Sequence, residues 1–277
     1  MTTGLSVGFV GLGDQGGPMA RRIIEAGVPT TLWARRPETL EPFADTAAIV
    51  ADSLPELAAA SDVLCVCVVD DAGVEEVLLG EGGAAGALRP GSTVVVHSTV
   101  HPQTCRRLAA TLSSNGVMLV DAPVSGGGHM ATEGHLVVMV GSDDATLARI
   151  RPIVETYGDP ILHMGPVGSG QIAKLVNNLA FTANLAIASQ LFDLAGALDI
   201  DLAALSQALS TGSARTYGLE LLPGLGFELA PLGSTAGPLL TKDVSIIDAL
   251  ARAADAPVGQ LIDVADAALR ELGHPRR

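Results

Sequence analysis

Lys174 is the one lysine or arginine between Arg151 and Arg215. It stands among the apolar residues Ile172, Ala173, Leu175, Val176 and Leu179. An ordinary lysine has a pKa of about 10.4, so it begins as a cation and a proton donor rather than a base. Burial or a neighbouring cation would lower that value. Asn178 follows at i+4, which on a helix places both side chains on one face, within reach of each other. Two adjacent asparagines, Asn177 and Asn178, are unfavourable inside a helix, which favours a functional account. The plain alternative is a lysine that reaches back to solvent along an apolar surface.

A second group is Asp121-Ala-Pro-Val-Ser125-Gly126-Gly127-Gly128, directly after an apolar run. Consecutive glycines can turn backbone N–H groups toward an anion, and Ser125 adds a hydroxyl, so a carboxylate would fit. A flexible hairpin loop is the alternative. Lys242-Asp243 is a charged pair after Gly237-Pro238, read as the start of a helix or as a surface ion pair.

The third group lies at the N-terminal end, LSVGFVGLGDQGGPMA over Leu5–Ala20. An apolar strand runs into Gly11, Gly13 and Gly16, spaced G-x-G-x-x-G, and a helical stretch follows. This is the arrangement of a dinucleotide site. The first glycine permits the turn, the second lets a pyrophosphate approach the backbone, and the third lets helix and strand pack closely. The helix N-terminus supplies N–H groups and a partial positive charge. At the end of the next strand stand Arg35 and Arg36, with no Asp or Glu between Thr30 and Arg36. An acidic residue there would take the ribose hydroxyl of NAD, whereas an arginine suits the extra phosphate of NADP. NADP(H) is therefore favoured over NAD(H), the alternative being two solvated arginines at a helix cap.

Strand–helix alternation positions these groups. Strands are expected at Val7–Val10, Thr30–Trp33, Val63–Val69, Thr93–His97, Met118–Val120 and Leu136–Val140. Helices are expected at Pro37–Ala44, Leu54–Ala60, Val74–Leu79, Pro102–Ser113 and Ala145–Tyr157. Such alternation implies a largely parallel sheet covered on both faces. The gap from Val120 to Leu136 is too short for an ordinary crossover helix, so an antiparallel pair should end the sheet. After His163 the sequence becomes rich in Ala and Leu. A long helix over Gln171–Leu198 is expected, then helices at Leu202–Leu209, Leu239–Ala254 and Val258–Leu272. The fold class is thus an α/β Rossmann-type domain, 1–165, joined through a long helix to an all-α domain, 166–277, with the boundary near Gly165–Gly170. The tail His274–Arg277 is expected to fray.

The 277 residues carry a formal net charge of −14, which argues against nucleic acid or an anionic membrane as partner. No uninterrupted apolar run approaches a membrane span and no leader pattern opens the chain, so a cytoplasmic location is expected. Cys65 and Cys67 alternate on one strand and read as core, and no His or Cys spacing suggests a metal. The apolar surfaces of the helical half exceed one amphipathic stripe and imply a homodimer.

Taken together, GFVGLGDQGGPMA, Asp121–Gly127, Gly168–Asn178 and Lys242-Asp243 resemble, in order and over nearly the whole chain, the β-hydroxyacid dehydrogenases, the family of 3-hydroxyisobutyrate dehydrogenase and the glyoxylate/succinic semialdehyde reductases. The resemblance implies a reversible oxidoreductase moving hydride between a nicotinamide cofactor and a small β-hydroxy acid or the matching aldehyde or keto acid. It implies Lys174 as acid/base and Asn178 as the residue that orients substrate. Ser125, Gly126 and Gly127 would take the carboxylate, and Arg215 and Tyr217 would line the substrate pocket. Gly11, Leu12, Gly13, Asp14, Gln15, Gly16, Val68, Val69, Thr99 and Lys242 would contact the cofactor. Three positions depart from the family pattern: Gln15 replaces a Met, His97 an acidic residue, and Thr235 a Phe. Two other readings are an imine reductase of similar architecture, which usually lacks a lysine at position 174, and a non-catalytic binding module, which has no need of Lys174, Asn178 and Ser125.

Overall fold

The computed structural model describes residues 4–276 and divides into two compact units, Met1–Lys174 and Leu175–Arg277. In the first unit the run before the glycine turn forms β1 (Val7–Val10), followed by α1 (Gly16–Glu25), β2 (Thr30–Trp33), β3 (Ile49–Val50), α2 (Leu54–Ala59), β4 (Val63–Val66), α3 (Asp71–Leu79), β5 (Thr93–Val96), α4 (Pro102–Ser113) and β6 (Met118–Asp121). The strands lie in the order β3-β2-β1-β4-β5-β6 and are all parallel. This is the doubly wound order that places ligands beyond the carboxyl ends of the strands.

Side chains alternate across the sheet, as period-two patterning requires. Val7, Phe9, Val63, Cys65, Val95 and Val120 pack on one face with Met19, Ala20 and Ile23 of α1. Val10, Leu64, Val66, Val94, Val96 and Leu119 pack on the other with Leu57, Val74, Leu78, Cys105 and Leu108. Cys65 and Cys67 face one core as expected, and burial raises both thiols, Cys67 to about 12.

Beyond β6 the chain adds β7 (Val124–Ser125), α5 (Gly127–Glu133), β8 (Leu136–Gly141), α6 (Asp144–Val154) and β9 (Gly158–Gly165). β8 runs antiparallel to β6 and β7, as the short gap implies, and β9 then pairs parallel to β8. The sequence reading contained neither β9, whose residues are mostly exposed, nor the short pieces β3 and β7. Pro37–Phe43 is a 3-10 helix rather than an α-helix. Pro42 lacks an N–H to give and crowds the carbonyl four residues back, which suits the tighter, shorter form.

The second unit is helical. α7 (Ser169–Ala197) starts in the first unit, and the division falls between Lys174 and Leu175. It is followed by α8 (Leu202–Thr211), α9 (Tyr217–Leu221), α10 (Gly233–Ala253) and α11 (Leu261–Glu271). Leu185, Phe192, Leu222, Val244, Leu269 and their neighbours form its core. α7 is, by length and mean composition, apolar enough to cross a bilayer, although polar residues interrupt it, and half of its most apolar window is buried inside the protein. Two expectations are corrected here. Lys242-Asp243 lies in the middle of α10, not at its start: the helix runs through Pro238, and Gly237 is where the His274 ring packs too closely for a Cβ. The tail is anchored through Arg276, which makes a bidentate contact with Asp266 at 2.6 and 2.9 Å and a third bond to Asp248 at 2.8 Å. Thr241 Oγ1 also donates to the His274 carbonyl. Arg277 lies outside the described residues.

Candidate active site

The glycine turn is built by contact as well as by conformation. Gly11 has φ +94° and packs on the Cys67 carbonyl, and Gly16 packs on the Gly11 carbonyl and the Phe9 ring. A side chain at either would push β1 and β4 or the helix apart. At Gly13, by contrast, a Cβ would project into open space. α1 begins beside it with no side-chain cap at Gln15 and no acidic residue in its first turn. Free space above a glycine, next to an uncapped helix N-terminus, fits the pyrophosphate of a nicotinamide dinucleotide. Leu12 and Asp14 complete this turn. The Asp14 carbonyl lies against Gly128, so the first turn of α5 packs directly on the glycine turn.

The other candidates of this unit follow the ends of successive strands. Arg35 and Arg36 follow β2 and are exposed, and Arg36 approaches Glu38 loosely at 4.0 Å. Val68 and Val69 follow β4, Thr99 follows β5, and Ser125, Gly126 and Gly127 span the end of β7 and the start of α5. Lys174 lies in the second turn of α7 and is buried. An open cavity of about 680 Å³ in the same unit is lined by Arg106, Ser142, Asp143, Asp144, His163 and Val167 among others, and contains none of these residues. Among the described residues no three His, Cys, Asp or Glu side chains cluster as a metal site.

Two buried groups that the sequence reading left without a role hold this end of the unit together. Asp121, at the end of β6, accepts hydrogen bonds from the N–H groups of Gly168 at 2.6 Å and Gln171 at 2.8 Å, and so caps α7. Burial is the larger influence on its carboxyl and raises it to about 6, against those two bonds. Gln171 is also bonded through its side chain, to Ser98 and Val100. An acid ending an apolar strand and a glutamine within an apolar helix were the available signals. His97 is buried, with Nδ1 2.8 Å from the Ala122 carbonyl. A carbonyl only accepts, so Nδ1 carries the proton and Nε2 accepts from Tyr157 Oη at 3.2 Å. Burial lowers this imidazole to about 4, so it is neutral at pH 7.

In the helical unit, Asn178 Nδ2 donates to Asp243 Oδ2 at 2.6 Å, and Asn177 donates to Asn178 Oδ1 at 3.1 Å. Lys242 Nζ lies 3.1 Å from the other Asp243 oxygen. The K-D pair thus fixes Asn178, a role for Asp243 that spacing alone did not reveal. Tyr217 is exposed and packs against Phe181 with ring centroids 5.7 Å apart. Arg215 is exposed and paired with Glu220 at 2.6 Å.

Comparison with known proteins agrees with this architecture. The family model for the NAD-binding domain of 6-phosphogluconate dehydrogenase matches residues 6–165. That for the NAD-binding region of NADP-dependent 3-hydroxyisobutyrate dehydrogenase matches residues 168–274. An uncharacterised oxidoreductase of Mycobacterium tuberculosis is 36% identical over 212 residues, covering 76% of this chain and 72% of the relative. The 3-hydroxyisobutyrate dehydrogenase of Pseudomonas aeruginosa is 31% identical over 264 residues, covering 92% and 89%. Among solved structures, M. tuberculosis 3-hydroxyisobutyrate dehydrogenase with L-serine aligns with a TM-score of 0.84 at 26% identity, covering 99% of this chain and 95% of that one. With its Rossmann-type sheet, glycine turn and helical C-terminal half, the chain belongs to the β-hydroxyacid dehydrogenase family and is an NAD(P)-dependent oxidoreductase.

Proposed function

We propose that this protein moves hydride between NADP(H) and a small β-hydroxy acid or the matching aldehyde or keto acid, with Lys174 as acid/base. The observation that carries the reading is the placement of Lys174: buried, in the second turn of a helix capped by Asp121, within the unit that holds the glycine turn. A nicotinamide held at the glycine turn would supply the hydride acceptor for oxidation, or the donor for reduction, at the substrate carbon. In oxidation the hydroxyl proton would pass to Lys174 Nζ in its neutral amine form, leaving the ammonium, as the C–H bond breaks. In reduction the Lys174 ammonium stabilises the developing alkoxide and then protonates it. A group that donates only as charge develops lowers the barrier rather than tightening the ground state.

The remaining roles are those that the motifs and the family resemblance imply. Gly11, Leu12, Gly13, Asp14, Gln15 and Gly16 cradle the pyrophosphate. Arg35 and Arg36 take the 2′-phosphate, and Val68, Val69, Thr99 and Lys242 contact the cofactor. Ser125, Gly126 and Gly127 hold the substrate carboxylate, Asn178 orients the reacting oxygen, and Arg215 and Tyr217 bear on substrate choice. Residues 1–165 serve as the dinucleotide domain and 166–277 as the substrate and dimerisation domain. The free cysteines support a cytoplasmic enzyme, and the exposed apolar side chains of the helical half support a second copy of the chain as its partner. Lys174 favours this reading over the imine reductase one.

The test is NADPH binding by fluorescence, then absorbance at the nicotinamide band with a panel of small hydroxy acids and semialdehydes. L-serine, present with the mycobacterial structure, is itself a β-hydroxy acid and belongs in the panel with 3-hydroxyisobutyrate. Turnover of one member with NADP(H) is expected, and binding without turnover of any of them would favour the non-catalytic module.

A further inference from the structure

Gln171 lies in the first turn of α7, three residues before Lys174, and is fully buried. Its carboxamide is bonded at both ends. Nε2 donates to the Ser98 carbonyl at 2.8 Å, and Oε1 accepts the Val100 N–H at 3.0 Å. Those two backbone groups flank Thr99, so the side chain spans Thr99 as a neighbouring strand would. Ser98 is held in turn, its Oγ accepting the Val68 N–H at 2.8 Å. At its other end Gln171 donates its own N–H to Asp121 Oδ2 at 2.8 Å. Val68, Ser98, Gln171 and Asp121 therefore form one bonded chain across the ends of β4, β5 and β6 and into α7.

A neutral amide gives and accepts at once in this setting, which neither an apolar side chain nor an ionised carboxylate can do. An apolar residue at 171 would leave the Ser98 carbonyl and the Val100 N–H buried and unpaired, and an ionised carboxylate would face the Ser98 carbonyl oxygen. We propose that Gln171 is a positioning residue for hydride transfer, fixing the Thr99 loop against α7 so that the cofactor-side backbone and Lys174 keep one spacing. The inference rests on the roles given above to Thr99 and Lys174. It acts on the chemical step, where a misplacement of about 1 Å costs about a hundredfold.

The experiment compares Gln171→Leu and Gln171→Glu with the wild type, using NADP+ and 3-hydroxyisobutyrate, with and without deuterium on the oxidised carbon. Gln171→Leu should keep the NADPH dissociation constant and the KM within threefold. It should lose kcat at least thirtyfold and show a larger primary isotope effect. Gln171→Glu should be equally poor at pH 8. It should recover at least tenfold relative to Gln171→Leu by pH 5.5, because a protonated carboxyl again donates to Ser98 and accepts from Val100. The titratable groups near that side chain are Asp121 on β6 and the Cys105 thiol on α4, with Asp71 on α3 and Arg106 on α4 acting on Cys105. Leu112→Ala, a core deletion at the far end of α4, shows what general destabilisation alone does to kcat. If Gln171→Leu weakens cofactor binding and KM in step with its melting temperature, with an unchanged isotope effect, the role is merely structural and the inference fails. It fails equally if Gln171→Glu shows no acid recovery. A wild type that oxidises no substrate would remove the oxidoreductase reading instead. Amide exchange would then decide: loss of protection at Val100 together with residues 169–174 in Gln171→Leu supports the coupling, and unchanged protection overturns it.

Discussion

Asn178 and Asp243 meet across 2.6 Å inside the helical unit, the amide donating to a carboxylate that is itself almost wholly buried. The bond joins α7 to α10 and sets which way the Asn178 carboxamide points. Asp243→Ala would leave that amide without its acceptor, at a cost of about 1–3 kcal/mol. Urea denaturation should show a loss of this size, and kcat should fall further than NADPH affinity. Full stability with full turnover in Asp243→Ala would mean that Asn178 is held by something else.

The buried pair His97 and Asp121 should give opposite pH responses. Burial lowers His97 from 6.5 to about 4, so its contribution to stability is present above pH 6.5 and is lost as pH falls toward 4. Burial raises Asp121 from 3.8 to about 6, so its contribution is present below 3.8 and is lost as pH rises through 6. Each is worth about 3 kcal/mol at about 1.4 kcal/mol per pH unit. Relative to the wild type, His97→Gln should lose less stability between pH 6.5 and 4, and Asp121→Asn should lose more. Denaturation curves at three pH values check both signs, and identical pH slopes in all three proteins would refute the assignment.

NADP(H) should bind at least tenfold more tightly than NAD(H), since a charge-assisted hydrogen bond contributes about 1.5–3 kcal/mol and no acidic residue occupies the end of β2. Arg35→Ala should erase most of the difference while leaving NADH affinity unchanged. Equal dissociation constants for the two cofactors in the wild type would contradict this, and an Arg35→Ala variant that keeps the preference would move the contact to Arg36.

What the sequence made legible follows the range of the interactions. The strand–glycine–helix start and the alternation through Ser113 are local patterns, and most elements formed where the periodicity placed them, within a few residues, the exceptions being the two-residue β3 and the 3-10 form of Pro37–Phe43. The candidate residues at strand ends were legible for the same reason, because a residue that follows an apolar run sits where that strand stops. The bonds of Asp121 to Gly168 and Gln171, of Gln171 to Ser98 and of Asn178 to Asp243 join residues about 50 to 70 positions apart. Nothing in the local pattern marks such a pair. The anchored tail was missed likewise, since Arg276 finds Asp248 and Asp266 only once α10 and α11 are packed. β9 escaped because its side chains are mostly exposed and leave no apolar signature.

The helical unit should dimerise. Leu194 is 57% exposed and Leu198 62%, and Ile187, Leu239 and Leu261 are also exposed within this single chain. Apolar surface of that kind commonly marks an interface. Light scattering at micromolar concentration should report at least twice the chain mass of 28.1 kDa. A monomer would defeat the dimer without touching the catalytic roles.

The central claim is that Lys174 moves the proton. The direct measurement is steady-state turnover of purified Lys174→Ala with the cofactor and substrate that the wild type uses, alongside its NADPH dissociation constant and melting temperature. The account predicts a loss of kcat of at least a thousandfold, with cofactor affinity within threefold and the fold intact. Turnover near that of the wild type, in a variant that binds NADPH normally, would contradict it.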